Sequence, residues 1–138
     1  MTDEAIQREL EGIIARAGAD SGTIHLLEDG VLTLRAHRGI PPQVVAVVER
    51  VPVGKGIAGL CAERNEPVSI CNIQTDTSGD VRPGAKATGL NGAIAVPIRD
   101  AGGKVLGTLG VGVHREHDYS EAEIRALLDE AAKLAPKG

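Results

Sequence analysis

Residues 92–114 read Gly-Ala-Ile-Ala-Val-Pro-Ile-Arg, then Asp-Ala-Gly-Gly, then Lys-Val-Leu-Gly-Thr-Leu-Gly-Val-Gly-Val-His. Two apolar stretches, 92–99 and 104–114, flank a short glycine-rich segment, which predicts an antiparallel hairpin. Because alternate side chains of a strand point to opposite faces, each strand divides into two sets. The bulky aliphatic set shares one face and comprises Ile94, Val96, Ile98, Val105, Leu109, Val111 and Val113. The small set shares the other face and includes Ala93, Ala95, Thr108, Gly110 and Gly112.

The small face of this hairpin leaves a hollow beside the sheet, whereas the bulky face is expected to pack against amphipathic helices. Two arrangements would fill the hollow: a pocket that takes a ligand, or a helix that packs closely over the glycines. We favour the pocket, because binding sites need concavity and this face offers it.

The elements around this hairpin predict an α+β domain. Apolar residues at helical spacing mark the first and last helices, and Asp29-Gly30 between two alternating runs predicts another hairpin. Predicted helices cover residues 3–17, 43–49, about 56–65 and 120–134. Predicted strands cover residues 22–27, 31–37, 67–71, 92–99 and 104–114, and residues 72–90 are predicted to form a long loop.

Composition and charge exclude several classes of function. The 138 residues are about one domain by length, and 15 basic against 19 acidic residues give a net charge of −4. The acidic net charge argues against a basic patch that binds nucleic acid. The chain also has no Phe, no Trp and a single Tyr, Tyr119, so it lacks the aromatic side chains on which bases stack. It also lacks an apolar run of the ~20 residues that span a membrane, a signal-peptide stretch and a disulfide framework. We therefore expect a cytoplasmic protein.

Several short motifs, taken in order, resemble those of GAF domains. They are Gly54-Lys55-Gly56-Ile57-Ala58-Gly59, Glu66-Pro67-Val68-Ser69-Ile70, Asn72-Ile73 with Asp76, Ala95-Val96-Pro97-Ile98, the run from Gly103 to Leu109, and Tyr119-Ser120 with Glu123-Ile124. The match covers about residues 3–134, so we expect a single GAF domain over 1–138. The resemblance implies a GAF/PAS-like (profilin-like) six-stranded antiparallel sheet. The terminal helices would lie on one face, and the middle helices and a loop would close over a ligand pocket on the other. It also implies a sensory role and a homodimer through helices 3–17 and 120–134.

Specialised members of this family differ from the chain at their functional positions. Free methionine-(R)-sulfoxide reductases carry a Cys where this chain has Ala58, a Glu where it has Ala93, and two acids where it has Gly110 and Gly112. They also need a Cys in the loop before these strands, and residues 72–92 contain none. Cyclic-nucleotide binders carry a Phe, and bilin binders usually attach through a Cys that precedes a His, neither of which is present. The resemblance therefore implies a non-enzymatic member.

Two further groups of residues favour structural interpretations over chemical ones. Cys61 and Cys71 lie ten residues apart and allow a redox pair, although two small buried thiols are the simpler interpretation. Gly54-Lys55-Gly56 precedes a helix but lacks the spacing and the Ser or Thr of a phosphate-binding loop.

The four histidines form no complete metal site by spacing. His114 and His117 could make half of one, but no further Cys or His lies nearby, so a solvated loop is favoured. His25 and His37 lie on opposite strands of the first hairpin, where His25 should oppose a residue near Leu34. Each of these two could still edge the pocket.

We therefore predict a non-enzymatic small-molecule-sensing or regulatory domain that acts in signal transduction through a partner protein. The predicted pocket residues are Ile57, Cys61, Cys71, Ile73, Asp76, Ala93, Ala95, Thr108, Gly110 and Gly112. One alternative is a ligand-free interaction module whose hollow is filled by its own side chains. Another is a thiol redox enzyme or sensor using Cys61 and Cys71, which the missing acids disfavour. No metal, nucleic acid or membrane is predicted as a partner, and neither the ligand nor a cofactor is identified.

Overall fold

A computed structural model of the chain describes residues 2–74 and 89–135. Its helices are α1 (Asp3–Ala17), α2 (Pro42–Val48), α3 (Gly56–Arg64) and α4 (Glu121–Leu134). Its strands are β1 (Ser21–Glu28), β2 (Val31–Arg38), β3 (Arg50–Pro52), β4 (Val68–Ile70), β5 (Gly92–Arg99) and β6 (Val105–Val113). The six strands form one antiparallel sheet in the order β3-β2-β1-β6-β5-β4. The predicted α+β class and six-stranded sheet are confirmed.

The sheet joins the two predicted hairpins through the β1–β6 pair at its centre. His25 lies opposite Leu34, as the turn at Asp29-Gly30 predicts, and the register shifts between Ile24 and His25. Across the centre of the sheet, Gly110 lies between Thr23 of β1 and Ala95 of β5. The small face of the second hairpin therefore continues onto β1.

The bulky face of the sheet packs against the two terminal helices. Thr2 caps α1 by accepting a hydrogen bond from the Ala5 amide at 3.1 Å, and Gly18 ends this helix with a φ of 64°. Ser120 and Glu123 form a capping box at the start of α4. The shared core comprises Ile6, Leu10, Ile13, Ile14, Ile24, Ala36, Ile94, Val96, Ile98, Leu109, Val111, Leu127 and Ala131. The opposite, small face of the sheet is therefore covered by elements from the middle of the chain, among them α2 and the start of α3.

The glycines at the start of α3 have structural reasons. Gly54 and Gly56 adopt φ values of 91° and 66°, which other residues rarely reach. A Cβ atom on Gly59 would lie 2.5 Å from the Pro52 carbonyl oxygen, so only glycine lets α3 approach β3 this closely. The Gly54 amide also donates to the Gly59 carbonyl at 2.8 Å. Residues 54–56 therefore form a tight turn that leads into α3.

None of the helices in the described ranges is long and apolar enough to cross a membrane.

Candidate functional site

A cavity of about 150 Å³ lies between the small face of the sheet and the middle helices. Its floor is formed by β1, β5 and β6, through Ser21, Thr23, His25, Ala93, Ala95, Gly110 and Gly112 among others. Its walls come from α2, the start of α3, and Ile73 and Leu90 on either side of the gap in the described chain. The surface of the cavity is almost entirely carbon. It can therefore surround a small apolar molecule.

The floor is hollow because its residues are small. Ser21, Gly112 and Ala93 form one row across β1, β6 and β5, and Thr23, Gly110 and Ala95 form the next. Among the described residues, a Cβ atom on Gly110 would meet only the Thr23 hydroxyl, at 3.0 Å, and the more distant Ile94 carbonyl. The small residues around Gly110 therefore leave a concave surface, whereas Leu90 packs over Gly112, where an added Cβ atom would lie 2.8 Å from Leu90 Cδ1.

The predicted pocket residues divide into three groups. Ile57, Ile73, Ala93, Ala95, Gly110 and Gly112 line the cavity. Cys61, Cys71 and Thr108 lie outside its lining: Cys61 packs with Val68 and Ala95, Cys71 is exposed after β4, and Thr108 is buried one row further along the sheet. Asp76 lies outside the described residues. A ligand-binding role for the lining residues stays a prediction.

Helix α2 is one of the middle helices that the resemblance places over the pocket, but none of its residues was among the predicted pocket residues. Val44, Val47 and Val48 line the cavity from α2, with Ile40 just before the helix. Val44 is only 3% exposed, yet it belongs to none of the apolar clusters found among the described residues. Val47 is 43% exposed although it also lines the cavity, so the cavity meets the protein surface beside α2. Helix α2 thus borders the cavity with three of its valines, Val44, Val47 and Val48.

His25 brings a polar group to the floor of this apolar cavity. Its side chain is buried, and its Nε2 atom lies 2.9 Å from the Val48 carbonyl oxygen at the end of α2. Since a carbonyl oxygen only accepts, Nε2 carries the proton and donates. Burial lowers the pKa of His25, outweighing the opposing effect of the Val48 hydrogen bond, so the ring is neutral near pH 7. In this neutral form Nδ1 is an acceptor, and it is buried without a hydrogen-bond partner in the described structure.

The two cysteines lack the features of a reactive thiol pair. Both are free; Cys61 is fully buried whereas Cys71 is exposed. Burial raises the pKa of Cys61 to about 12; the charge of Arg99 opposes this shift, and that of Glu66 adds to it. Cys61 is therefore a protonated thiol at neutral pH and a poor nucleophile.

The histidines after β6 are used in local hydrogen bonds. His117 Nε2 lies 2.7 Å from Glu123 Oε2 on α4, and His114 Nδ1 lies 3.2 Å from the Gly89 carbonyl oxygen. No group of three or more potential metal ligands is found within residues 2–74 and 89–135. These contacts hold the segment between β6 and α4.

A second and larger groove, of about 400 Å³, lies on the other side of the sheet beside α1 and α4. Its charged side chains largely pair with one another: Arg16 lies 2.7 Å from Glu130, and Glu130 lies 3.4 Å from Lys133. The Tyr119 hydroxyl is buried there without a hydrogen-bond partner among the described residues, and burial raises its pKa to about 12. We take the smaller cavity as the candidate site, because its walls are more apolar than those of the groove.

Comparisons with known proteins agree with this architecture. A family model for the GAF domain matches residues 2–135. The GAF domain of a phosphoenolpyruvate-protein phosphotransferase from Coxiella burnetii superimposes with a TM-score of 0.80 at 24% identity, over 96% of this chain and 79% of that one. No curated protein sequence matches the chain.

Two further solved structures show how varied such relatives are. A type II free methionine-R-sulfoxide reductase from Thermoplasma acidophilum gives a TM-score of 0.78 at 19% identity, over 96% of this chain and 89% of that one. A domain described as part of a two-component sensor histidine kinase from Sinorhizobium meliloti gives 0.75 at 19% identity, over 95% and 86% of the two chains. At these identities the likeness shows the fold alone. The family match over nearly the whole chain shows that it belongs to the GAF domain family.

Proposed function

We propose that this chain is a non-enzymatic regulatory domain that senses a small molecule and passes the signal to a partner protein. The observation that carries the proposal is the apolar cavity of about 150 Å³ with α2 standing over it. A ligand in the cavity would give Val44, Val47 and Val48 a surface to pack against. Helix α2 would then settle against the sheet, and its exposed side would present a changed surface to a partner.

A thermal-stability screen of the purified chain against a library of small metabolites tests this function. We expect at least one uncharged, largely apolar compound to raise the melting temperature. A ligand present at about 100 times its Kd adds about 2.7 kcal/mol to the free energy of unfolding, which corresponds to roughly 10 °C for a domain of this size. Native mass spectrometry of the stabilised sample should show one ligand per chain. A screen in which no compound of the library raises the melting temperature would contradict the proposal.

The non-enzymatic part of the proposal predicts no turnover of free methionine sulfoxide. The positions that the resemblance links to reductase chemistry hold Ala58, Ala93, Gly110 and Gly112, and the Cys61 thiol is protonated. With a dithiol reductant, we expect methionine formation to stay at the level of the reaction without protein. A free methionine sulfoxide reductase, assayed in parallel, serves as the positive control. Turnover that disappears in Cys61→Ser or Cys71→Ser would show instead that the chain is an enzyme.

We also propose that the chain forms a homodimer, chiefly through α4. The apolar residues of α1 are buried within the chain, whereas Ile124, Leu128 and Leu134 of α4 are only half-buried at the edge of the core. A second copy could cover this edge symmetrically.

The Leu128→Glu variant is expected to be a monomer, because a carboxylate in the middle of this apolar edge would be buried without a partner. Light scattering coupled to size-exclusion chromatography measures the mass. Ala122→Glu, an equal change of charge on the exposed side of α4, should remain a dimer. A wild-type chain that is monomeric at high micromolar concentration would rule out the dimer.

A further inference from the structure

The Nδ1 atom of His25 is a buried acceptor that the folded chain leaves unused. His25 is 3% exposed, lines the cavity, and has no partner for Nδ1 within the described residues. A buried polar atom without a partner is destabilising by an amount similar to a lost hydrogen bond. Because His25 itself lines the cavity, a molecule that enters the cavity is the candidate partner for this atom.

The tautomer of His25 decides what kind of group can pair with Nδ1. If Nδ1 carried the proton, the bare Nε2 would face the Val48 carbonyl oxygen at 2.9 Å, and two acceptors would repel each other. The hydrogen bond to Val48 therefore keeps the proton on Nε2. Nδ1 can then only accept, so its partner must be a donor.

The cavity decides the rest of the partner's chemistry. Its volume of about 150 Å³ is that of a cavity able to hold benzene. The walls are almost entirely carbon, and the charged side chain among the described lining residues, Lys55, is exposed at the edge. An ion would lose its hydration here without gaining a partner of opposite charge, so the ligand should be neutral.

We propose that the cavity takes a neutral, apolar molecule of about the size of benzene whose single O–H or N–H group donates a hydrogen bond to Nδ1 of His25. This proposal rests on the proposed sensing function and specifies its ligand class. The apolar body of the ligand would lie over Gly110 and Ala95 and beneath α2. Since Nε2 of the same ring is held by the last residue of α2, His25 would connect the ligand directly to the helix that is proposed to move.

Thr108 provides a matched control for His25. The two residues are cross-strand neighbours on β6 and β1, and in the part of the chain that the structure describes the Thr108 hydroxyl is also buried without a partner. No hydrogen bond joins it to His25, and Thr108 does not line the cavity. Thr108→Val therefore removes a buried, unpaired polar atom beside the site without removing the proposed acceptor.

Phenol and toluene test the proposal, because they share a ring and differ in a hydroxyl against a methyl group. Each is titrated into ¹⁵N-labelled wild-type chain, and its Kd is taken from the shifts of backbone amides around the cavity. The imidazole nitrogens of His25 are observed in the same samples. We expect phenol, and not toluene, to shift the Nδ1 resonance in the direction of an accepted hydrogen bond. In His25→Phe the affinity for phenol relative to toluene should fall roughly tenfold, whereas in Thr108→Val it should stay as in the wild type.

The outcomes separate this proposal from the function on which it rests. If both compounds bind but Nδ1 does not respond to phenol and His25→Phe keeps the wild-type preference, the donor requirement is overturned while the sensing function stands. If neither compound binds at millimolar concentration, this ligand class is overturned, and the library screen decides the sensing function separately. If His25→Phe does not fold, the wild-type Nδ1 resonance alone decides.

Discussion

Gly107→Ala is expected to lower the free energy of unfolding by about 3 kcal/mol or more, which is at the upper end of the effects of overpacking. A Cβ atom at this position would overlap the carbonyl oxygen of His25 and lie 3.0 Å from Leu26 Cα. Both atoms belong to the backbone of β1, so no side chain can rotate away. The β1–β6 pair must therefore separate at the end of its register, where Leu26 pairs with Gly107.

Urea denaturation and thermal melts of Gly107→Ala and Gly102→Ala measure this effect. Gly102 lies in the exposed turn between β5 and β6, where an added Cβ atom would meet only Asp100 Oδ1 at an ordinary 3.4 Å. We expect Gly102→Ala to unfold close to the wild type, and the melting temperature of Gly107→Ala to fall by roughly 10 °C or more. Equal midpoints for the two variants would show that β1 and β6 are not held this closely.

The faces of the sheet could be predicted from the sequence because they depend on local alternation. Residues 92–114 separate bulky from small side chains over two strands, and the Asp29-Gly30 turn sets His25 opposite Leu34. The exception is β3, at Arg50–Pro52. Three residues that end in proline are too short to show a period of two, so the residue pattern alone predicted five strands. The sixth was expected only from the family resemblance.

The walls of the cavity could not be predicted because they depend on long-range pairing. Ser21 and Thr23 belong to the cavity floor because β1 pairs with β6, although these two strands lie far apart in the sequence. Cys61 illustrates the converse. Cys61 belongs to α3, whose first turn lines the cavity. Cys61 itself lies in a later turn and packs against Val68 and Ala95. The local sequence predicts that a helix is present beside the cavity, but it does not predict which turn of that helix faces the cavity.

Gly110→Leu is expected to abolish the thermal response to a stabilising ligand while leaving the chain folded. The substitution adds four carbons at the centre of the cavity floor, between Thr23 and Ala95. A wild-type chain that gains about 2.7 kcal/mol from a ligand at 100 times its Kd should gain nothing after this change. Thermal melts with and without the compound found in the library screen measure the loss.

Two companion variants separate cavity filling from strain. The new Cβ atom would lie 3.0 Å from the Thr23 hydroxyl, so Thr23→Ala combined with Gly110→Leu removes the close contact and should recover any lost melting temperature without recovering ligand binding. Gly12→Leu adds the same four carbons on α1, where only the flexible end of Arg16 is close. Its response to the ligand should equal that of the wild type.

The melting temperature of the unliganded Gly110→Leu chain also distinguishes sensing from a ligand-free interaction module. An empty cavity accepts the leucine side chain, and the added apolar contacts offset the strain at Thr23. A hollow already filled by the protein's own side chains would instead be overpacked, which lowers the free energy of unfolding by roughly 1–3 kcal/mol. A double variant that melts near the wild type and ignores the ligand therefore supports a sensing cavity. A double variant that melts well below it, together with a wild type that no compound stabilises, would establish that α2 covers packed side chains and that the domain acts through its surface alone.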